Sequence, residues 1–346
     1  CDRYRRWLAK QQLSMRQVHR AGEKTFIDYS GDRVTLTDPK TGEVRQAEIF
    51  VAVLGASNYT FVEATWTQQL ADWTASHVRA MEFFAGVTAV WVPDQLRSAV
   101  SGPHRYDPDV NRTYTDLAEH YGTIVIPARP RKPKDKAKAE SAVLVAQRSI
   151  LARLRHQTFF DLAAVNERID ELQTELNHRP MKGYGGQSRQ ERYEQLDRPA
   201  LRPLPAQRYV HGDWTKQLVG RDYHVDVDEH AYSVPYQLVR QTVEIRTSAA
   251  TIEVYARGKR IIAHRRSHDK GAATTLKEHM PAAHRAHADI SPSTLIERAA
   301  RVGPETERLV IDILDTRPHP EQGYRTSLGI LGLSKQYGDE RLEAAS

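Results

Sequence analysis

The chain of 346 residues is 40% hydrophobic and 27% charged with 19 Gly and 17 Pro, the composition of a soluble globular protein; no stretch approaches an apolar membrane span. That is more chain than one hydrophobic core organises, so two or three domains are expected. A formal charge of +6 with 15 His favours an anionic partner, nucleic acid first, and the single Cys1 excludes an internal disulfide framework or a cysteine zinc site.

With no charged-then-apolar leader, the cytoplasm is the expected compartment. The opening "CDRYRRWLAKQQLSMRQV" is helical and charged and begins on Cys rather than Met. Residues 1–20 are therefore expected to be the remnant of a linker helix from a longer protein. "GEKTFIDYSG" predicts a strand with Phe26, Asp28 and Ser30 on one face and Thr25, Ile27 and Tyr29 on the other. An acid in mid-strand runs against propensity. "RVTLTDPKTGEVRQAEIFVAVLGAS" predicts a strand, a turn over Asp38 to Gly42 and a return strand, and "YTFVEATW" another strand. Helical spacing of Leu70, Trp73, Val78, Met81 and Phe84 ends at Gly86, and an apolar strand then runs to Asp94. "NRTYTDLAEHYG" predicts a helix capped by Asn111, "TIVIPA" a buried strand, and Pro133 to about Leu154 a long helix with Pro in its first turn.

A further amphipathic helix, "FFDLAAVNERIDELQTELNHRP", closes an α/β layer with a mixed sheet. "LDRPALRPLPAQRY" is expected to be a linker. Short alternating strands from Val210 to Arg266 predict a small β-barrel or sandwich, and the remainder is helical. The expected boundaries are 21–195 for the α/β core, 196–270 for the barrel and 271–346 for the helical region.

Asp28, Asp94 and Glu140 fall in mid-strand, at a strand end and in the second turn of the long helix. In an α/β layer such positions can converge, and converging carboxylates suit hard cations that drive phosphodiester chemistry. Each has an ordinary reading: Asp94 as a turn residue or cap, Glu140 as a routine helical Glu. Asp32, Asp38, Asp107 and Asp109 are rivals in turn-like contexts, so pattern alone suggests the trio without proving it.

The motifs "FIDYSGD", "VWVPDQLRSAV", "HYGTIVIPARPRKPKDKAKAE" and "LNHRP", in this order, resemble the retroviral-integrase-like catalytic core, and specifically the IstA-type transposases of insertion sequences. The resemblance runs from about Gly22 to Leu342. It implies an RNase H-like core with a mixed five-stranded sheet and a catalytic, metal-binding triad of Asp28, Asp94 and Glu140. It further implies two Mg²⁺ or Mn²⁺ ions, transposon-end and target DNA, a dimer or tetramer, an AAA+ helper ATPase, and end-recognition segments upstream of Cys1. One departure is visible: Gln95, Leu96 and Arg97 stand where the family usually shows Asn and Lys after the second acid.

The run "RPRKPKDKAKAE" carries Arg129, Arg131, Lys132, Lys134, Lys136 and Lys138 before Glu140. It is either a solvated helix face or a set of DNA phosphate contacts beside the metal site, with Lys136 and Glu140 on one face at i, i+4. "HRRSH" and "HMPAAHRAH" match no common zinc spacing, and "GYGG" lacks the Lys and Ser or Thr of a phosphate loop. The leading expectation is a DNA transposase performing 3′-end cleavage and strand transfer. A non-catalytic DNA-binding scaffold and a structure-selective nuclease stand beside it.

Overall fold

A computed structural model describes residues 18–93, 100–102, 109–127, 133–316, 319 and 321–346, with side chains described outside 100–110 and 133–137. The chain divides into two compact units, Cys1–Trp214 and Thr215–Ser346. No helix among the described residues is long and apolar enough to cross a membrane.

In the first unit, β1 (Lys24–Tyr29), β2 (Val34–Thr37), β3 (Val44–Leu54) and β4 (Thr60–Thr65) form the expected meander, and β5 (Val90–Pro93) and β8 (Ile124–Val125) join in parallel. The sheet holds six strands where five were expected. The extra one is β2, whose register on β3, from Val34 opposite Ala47, continues that of β1, from Tyr29 opposite Phe50, so the two lie end to end along one edge of β3. The short β6 (Val100–Gly102) and β7 (Asp109–Val110) pair only with each other among the described residues.

Alternation along β1 separates two cores. Phe26 belongs to the core under α3 (Pro133–Ala146) and α4 (Leu162–His178), while Ile27 and Tyr29 face α1 (Leu70–Phe83) and α2 (Arg112–His120). Helices thus cover both faces of the mixed sheet, as its apolar strands require. The Asn111 side chain accepts from Thr113 N and caps α2 as expected. The long helix reaches Leu154 as expected, but Gln147–Leu151 form a π turn within it.

"TIVIPA" is not a buried strand. β8 pairs only with β5 among the described residues, and Ile124 and Ile126 are 63% and 51% exposed, because an edge position leaves an apolar run with nothing to cover it. β4 is the opposite edge, and it is blocked by side-chain amides of α4. Asn177 accepts from Thr60 N (3.1 Å) and donates to Thr60 O (2.9 Å), Gln173 accepts from Val62 N (2.9 Å), and Asn166 bonds both Ala64 N (2.7 Å) and Ala64 O (3.0 Å). These replace the ladder bonds of a missing strand. Asn177→Leu is expected to cost roughly 2–4 kcal/mol by orphaning two buried backbone groups. Urea denaturation measures it, and a loss under about 0.5 kcal/mol would contradict this edge role.

The proline-rich stretch expected as a linker is fastened to the first unit. The buried Asp197 carboxylate accepts from Gly22 N and Ser57 N, both at 2.9 Å. Gly22 has φ +66° and passes so close that a Cβ there would lie 2.4 Å from the Ala200 carbonyl oxygen. Arg202 bridges to Val87 and donates to the carbonyls of Thr88 and Gly122, and the Tyr209 hydroxyl donates to Asp116 (2.9 Å). These long-range bonds carry the compact unit past the expected boundary at 195.

In the second unit, β9 (Asp213–Leu218), β12 (Thr242–Thr247), β13 (Thr251–Ala256) and β14 (Lys259–Arg265) form one sheet. β10 (His224–Val227), β11 (His230–Ser233) and β15 (Ala273–Thr274) form another. Val219, Val225, Tyr232, Ile245 and Ile252 contribute to the core they share. Helices Pro292–Ala300, Pro304–Asp315 and Glu321–Tyr337 build a separate small core on Leu295, Val310 and Leu331.

Candidate active site

Asp28 sits where the sequence placed it, in the middle of β1 opposite Val51 of β3, half-buried, with Oδ1 accepting from Tyr29 N at 2.8 Å. On its other side β5 runs parallel, and the register ends with Pro93 beside Ile27. Asp94, the residue after that strand, lies outside the described residues, as do Arg129, Arg131 and Lys132.

α3 lies over the Asp28 face of β1. Phe26, Val92 and Ala139 share one buried cluster, and Gln147 Nε2 donates to Ser30 Oγ at 3.1 Å. Those interactions fix the helix at the residues two before and two after Asp28. Glu140, next to the buried Ala139, is exposed on this helix. Two carboxylates, one rooted in the strand and one on the crossing helix, thus lie on the same side of the sheet. Among the described residues no three His, Cys, Asp or Glu form a metal-holding group; the expected third acid is Asp94.

Lys134 and Lys136 belong to α3, and the structure describes no more of them than that. Lys138 is the member of the run whose side chain the structure describes. At 100° per residue it lies about 200° around the helix from Glu140, on the opposite side. It is half-buried there, and burial first, then the neighbouring Arg192 and Arg189 charges, push its ammonium down to about 8, against the pull of Asp197.

Sequence reasoning placed Ser30 on the Asp28 face but missed its partner Gln147 and the amide row on α4. The row at 166, 173 and 177 had a signal, since i, i+7 and i+11 share one helix face. It also accounts for Asn177 of "LNHRP", which is buried and structural. Two histidines of the "HRRSH" and "HMPAAHRAH" stretches have hydrogen-bonding roles: His264 Nε2 donates to Ser233 O (2.7 Å), and His279 Nδ1 meets Ser233 Oγ (2.9 Å).

The family model "Mu transposase, C-terminal domain" matches residues 204–276. A Sinorhizobium fredii protein named as transposase y4uI is 46% identical over the whole of this chain and 67% of its own length. A Burkholderia multivorans protein named as a transposase for insertion sequence IS408 is 49% identical over the whole of this chain and 66% of its own length. The chain thus spans about two thirds of the curated relatives it matches. Among solved structures, the HTLV-2 integrase catalytic core domain in complex with magnesium aligns with 51% of this chain and 99% of that one, at 10% identity and a TM-score of 0.37.

Proposed function

We infer, from the premise that this chain belongs to the insertion-sequence transposases, that it carries an IstA-type, RNase H-like catalytic core whose centre is Asp28, Asp94 and Glu140. The observation that carries the reading is the placement of Asp28 and Glu140 on one face of the sheet, held by the Ser30–Gln147 bond and the core shared by Phe26 and Ala139. It supports the triad because it leaves β5 to deliver Asp94 beside β1.

The donor chemistry fits Mg²⁺ or Mn²⁺, since these take carboxylate oxygens and few protein ligands, and the side chains concerned are half-buried and exposed rather than sealed. Asp28, Asp94 and Glu140 would hold two ions, which supply Lewis-acid activation of the attacking oxygen and charge neutralisation of the leaving one. The chain's own part is positional. Rigid β1 holds Asp28, and α3 sets the height of Glu140 above it, so that fixed negative charge for the cations would lie on one side of the sheet, where the scissile phosphate would be positioned.

Two balanced reactions follow from that arrangement. Water attacks the phosphorus at a transposon end, the P–O3′ bond breaks, and the 3′-oxygen takes up a proton. The new 3′-hydroxyl then loses its proton and attacks a target phosphodiester, expelling the target's 3′-oxygen. Each step exchanges one phosphoester bond for another or for water, so no nucleotide energy source enters at this centre.

The remaining elements extend the same reading. Joining two ends to one target calls for a dimer or tetramer, and the second unit, as a small β-barrel with a helical region, would bind DNA or partner protomers. An AAA+ helper ATPase would prepare the target in the bacterial cytoplasm, on nucleoid DNA. Arg129, Arg131, Lys132, Lys134 and Lys136 would line the DNA path at the start of α3.

Incubating the protein with end-containing duplex, target plasmid and Mg²⁺ or Mn²⁺, with and without an upstream-extended version of the chain and a helper ATPase, tests this reading. Joined products are the expected result. Hydrolysis products alone in every combination would replace the transposase with a nuclease.

A further inference from the structure

On the side of α3 away from Glu140, a group of cations gathers that forms no ion pair among the described side chains; Asp197 acts on Lys138 and Glu175 on Arg179 only at longer range. Arg189, past the end of α4, donates to the Leu176 carbonyl (3.2 Å) and lies within electrostatic reach of Arg179. Arg179 makes one long bond, to Ser149 Oγ at 3.5 Å, and is otherwise exposed. Arg192 donates to Ala56 O (2.8 Å) and stacks 4.3 Å over the Tyr184 ring, yet its buried Nε has no partner. Lys138 is the fourth member, beside Arg192 and Arg189.

The nearby carboxylates are committed elsewhere. Asp197 serves Gly22 N and Ser57 N, Glu191 serves Ser188 N (2.7 Å), and Glu194 accepts from Gln190 (2.8 Å). Among residues whose side chains are described, none forms an ion pair with Lys138, Arg179, Arg189 or Arg192. Like charges gathered without ion pairs of their own repel one another, which is the pattern of a surface completed by an anion. Arginine forks with unused N–H groups fit phosphate oxygens in particular.

We propose that Lys138, Arg179, Arg189 and Arg192 form a second DNA-backbone site, behind the catalytic face, that holds the phosphates of a duplex without reading its sequence. The inference rests on the transposase reading for the identity of the polyanion. It moves Lys138 from the metal side of α3 to a site with arginines more than forty residues later in the chain. DNA engaged at Glu140 and DNA engaged here would lie on opposite sides of one helix, an arrangement that suits an enzyme handling more than one duplex segment.

The full 346-residue chain in EDTA, so that no cleavage occurs, is titrated onto labelled duplexes of two unrelated sequences across a range of salt. The variants are Arg179→Gln, Arg189→Gln and Arg168→Gln, the last an exposed arginine paired with Glu171. Arg179→Gln and Arg189→Gln are expected to weaken both duplexes equally and to lower the slope of log affinity against log salt by about 1 for each phosphate no longer neutralised, with Arg168→Gln unchanged. An unchanged slope in Arg179→Gln, whose exposed side chain can be removed without unfolding, overturns the proposal, as does wild-type protein that binds neither duplex at low salt. If the slopes shift as expected while no joined products form with metal, the second site stands and the transposase reading fails.

Discussion

Asp28→Asn and Glu140→Gln are each expected to abolish joined and 3′-cleaved products, by about 10³-fold or more, while leaving duplex binding in EDTA unchanged. The amides keep size and hydrogen bonding; the side-chain oxygen in the Asp28→Asn variant can still accept from Tyr29 N as the carboxylate does at 2.8 Å. What they lose is the negative charge that a divalent ion requires, and that ion's contribution of several kcal/mol to phosphoryl transfer corresponds to three or more orders of magnitude in rate. Because Glu140 is exposed and Asp28 half-buried, neither change creates a cavity, and thermal midpoints are expected to stay within about 2 °C of wild type. Activity within tenfold of wild type in both variants would leave a DNA-binding scaffold as the better reading. Loss of joining with cleavage intact would assign these acids to the second step alone.

The parts of the fold that could be read from sequence are those where periodicity decides burial. Alternation in "TFIDYS" placed Phe26 and Asp28 on one face and Ile27 and Tyr29 on the other, and the two cores divide the strand that way. What escaped were features made by distant residues. "TIVIPA" is apolar enough for a core strand, yet its place at the sheet edge leaves Ile124 exposed, and strand order is not written in local pattern. Proline in "LDRPALRPLPAQRY" suggested a flexible connection, but Asp197 and Arg202 bond to backbone groups eighty or more residues away. The amide row on α4 carries no chemistry that local pattern points to, since Asn and Gln are usually exposed; only the unpaired edge of β4 gives it a purpose. At the candidate site, Asp28 stood out because an acid in mid-strand runs against propensity, whereas Glu140 reads as a routine helical Glu and was singled out only by the family motif. Counting charges along the run did not separate Lys138 from Glu140, because it ignores the 100° step that turns alternate residues of a helix away from each other.

Acid destabilises the first unit through His77. This fully buried residue of α1 donates Nδ1–H to the Trp73 carbonyl (2.7 Å), which leaves Nε2 to accept from the Tyr114 hydroxyl (3.0 Å). The rings of Trp73, Phe50, Trp91 and Tyr114 surround it at 4.5 to 5.4 Å, and burial holds its imidazole down to about 3. A folded-state value below the unfolded 6.5 means that the unfolded chain takes up the proton first. The stability associated with neutral His77 is therefore complete above pH 6.5 and is lost as pH falls from 6.5 toward 3, by about 3 kcal/mol at pH 4.5. His77→Gln keeps hydrogen-bonding capacity but cannot titrate. Between pH 7 and 4.5 its urea-derived stability should fall by about 3 kcal/mol less than that of wild type, whatever the starting value of each. Parallel pH profiles for the two proteins would show that His77 is not held neutral. Since Trp91 of β5 packs against this ring one residue before Val92 on the Asp28 face, the same protonation would loosen the strand that leads to Asp94. Cleavage and joining should therefore fail in acid together with the tertiary structure of the first unit, and the His77→Gln variant should carry both to lower pH.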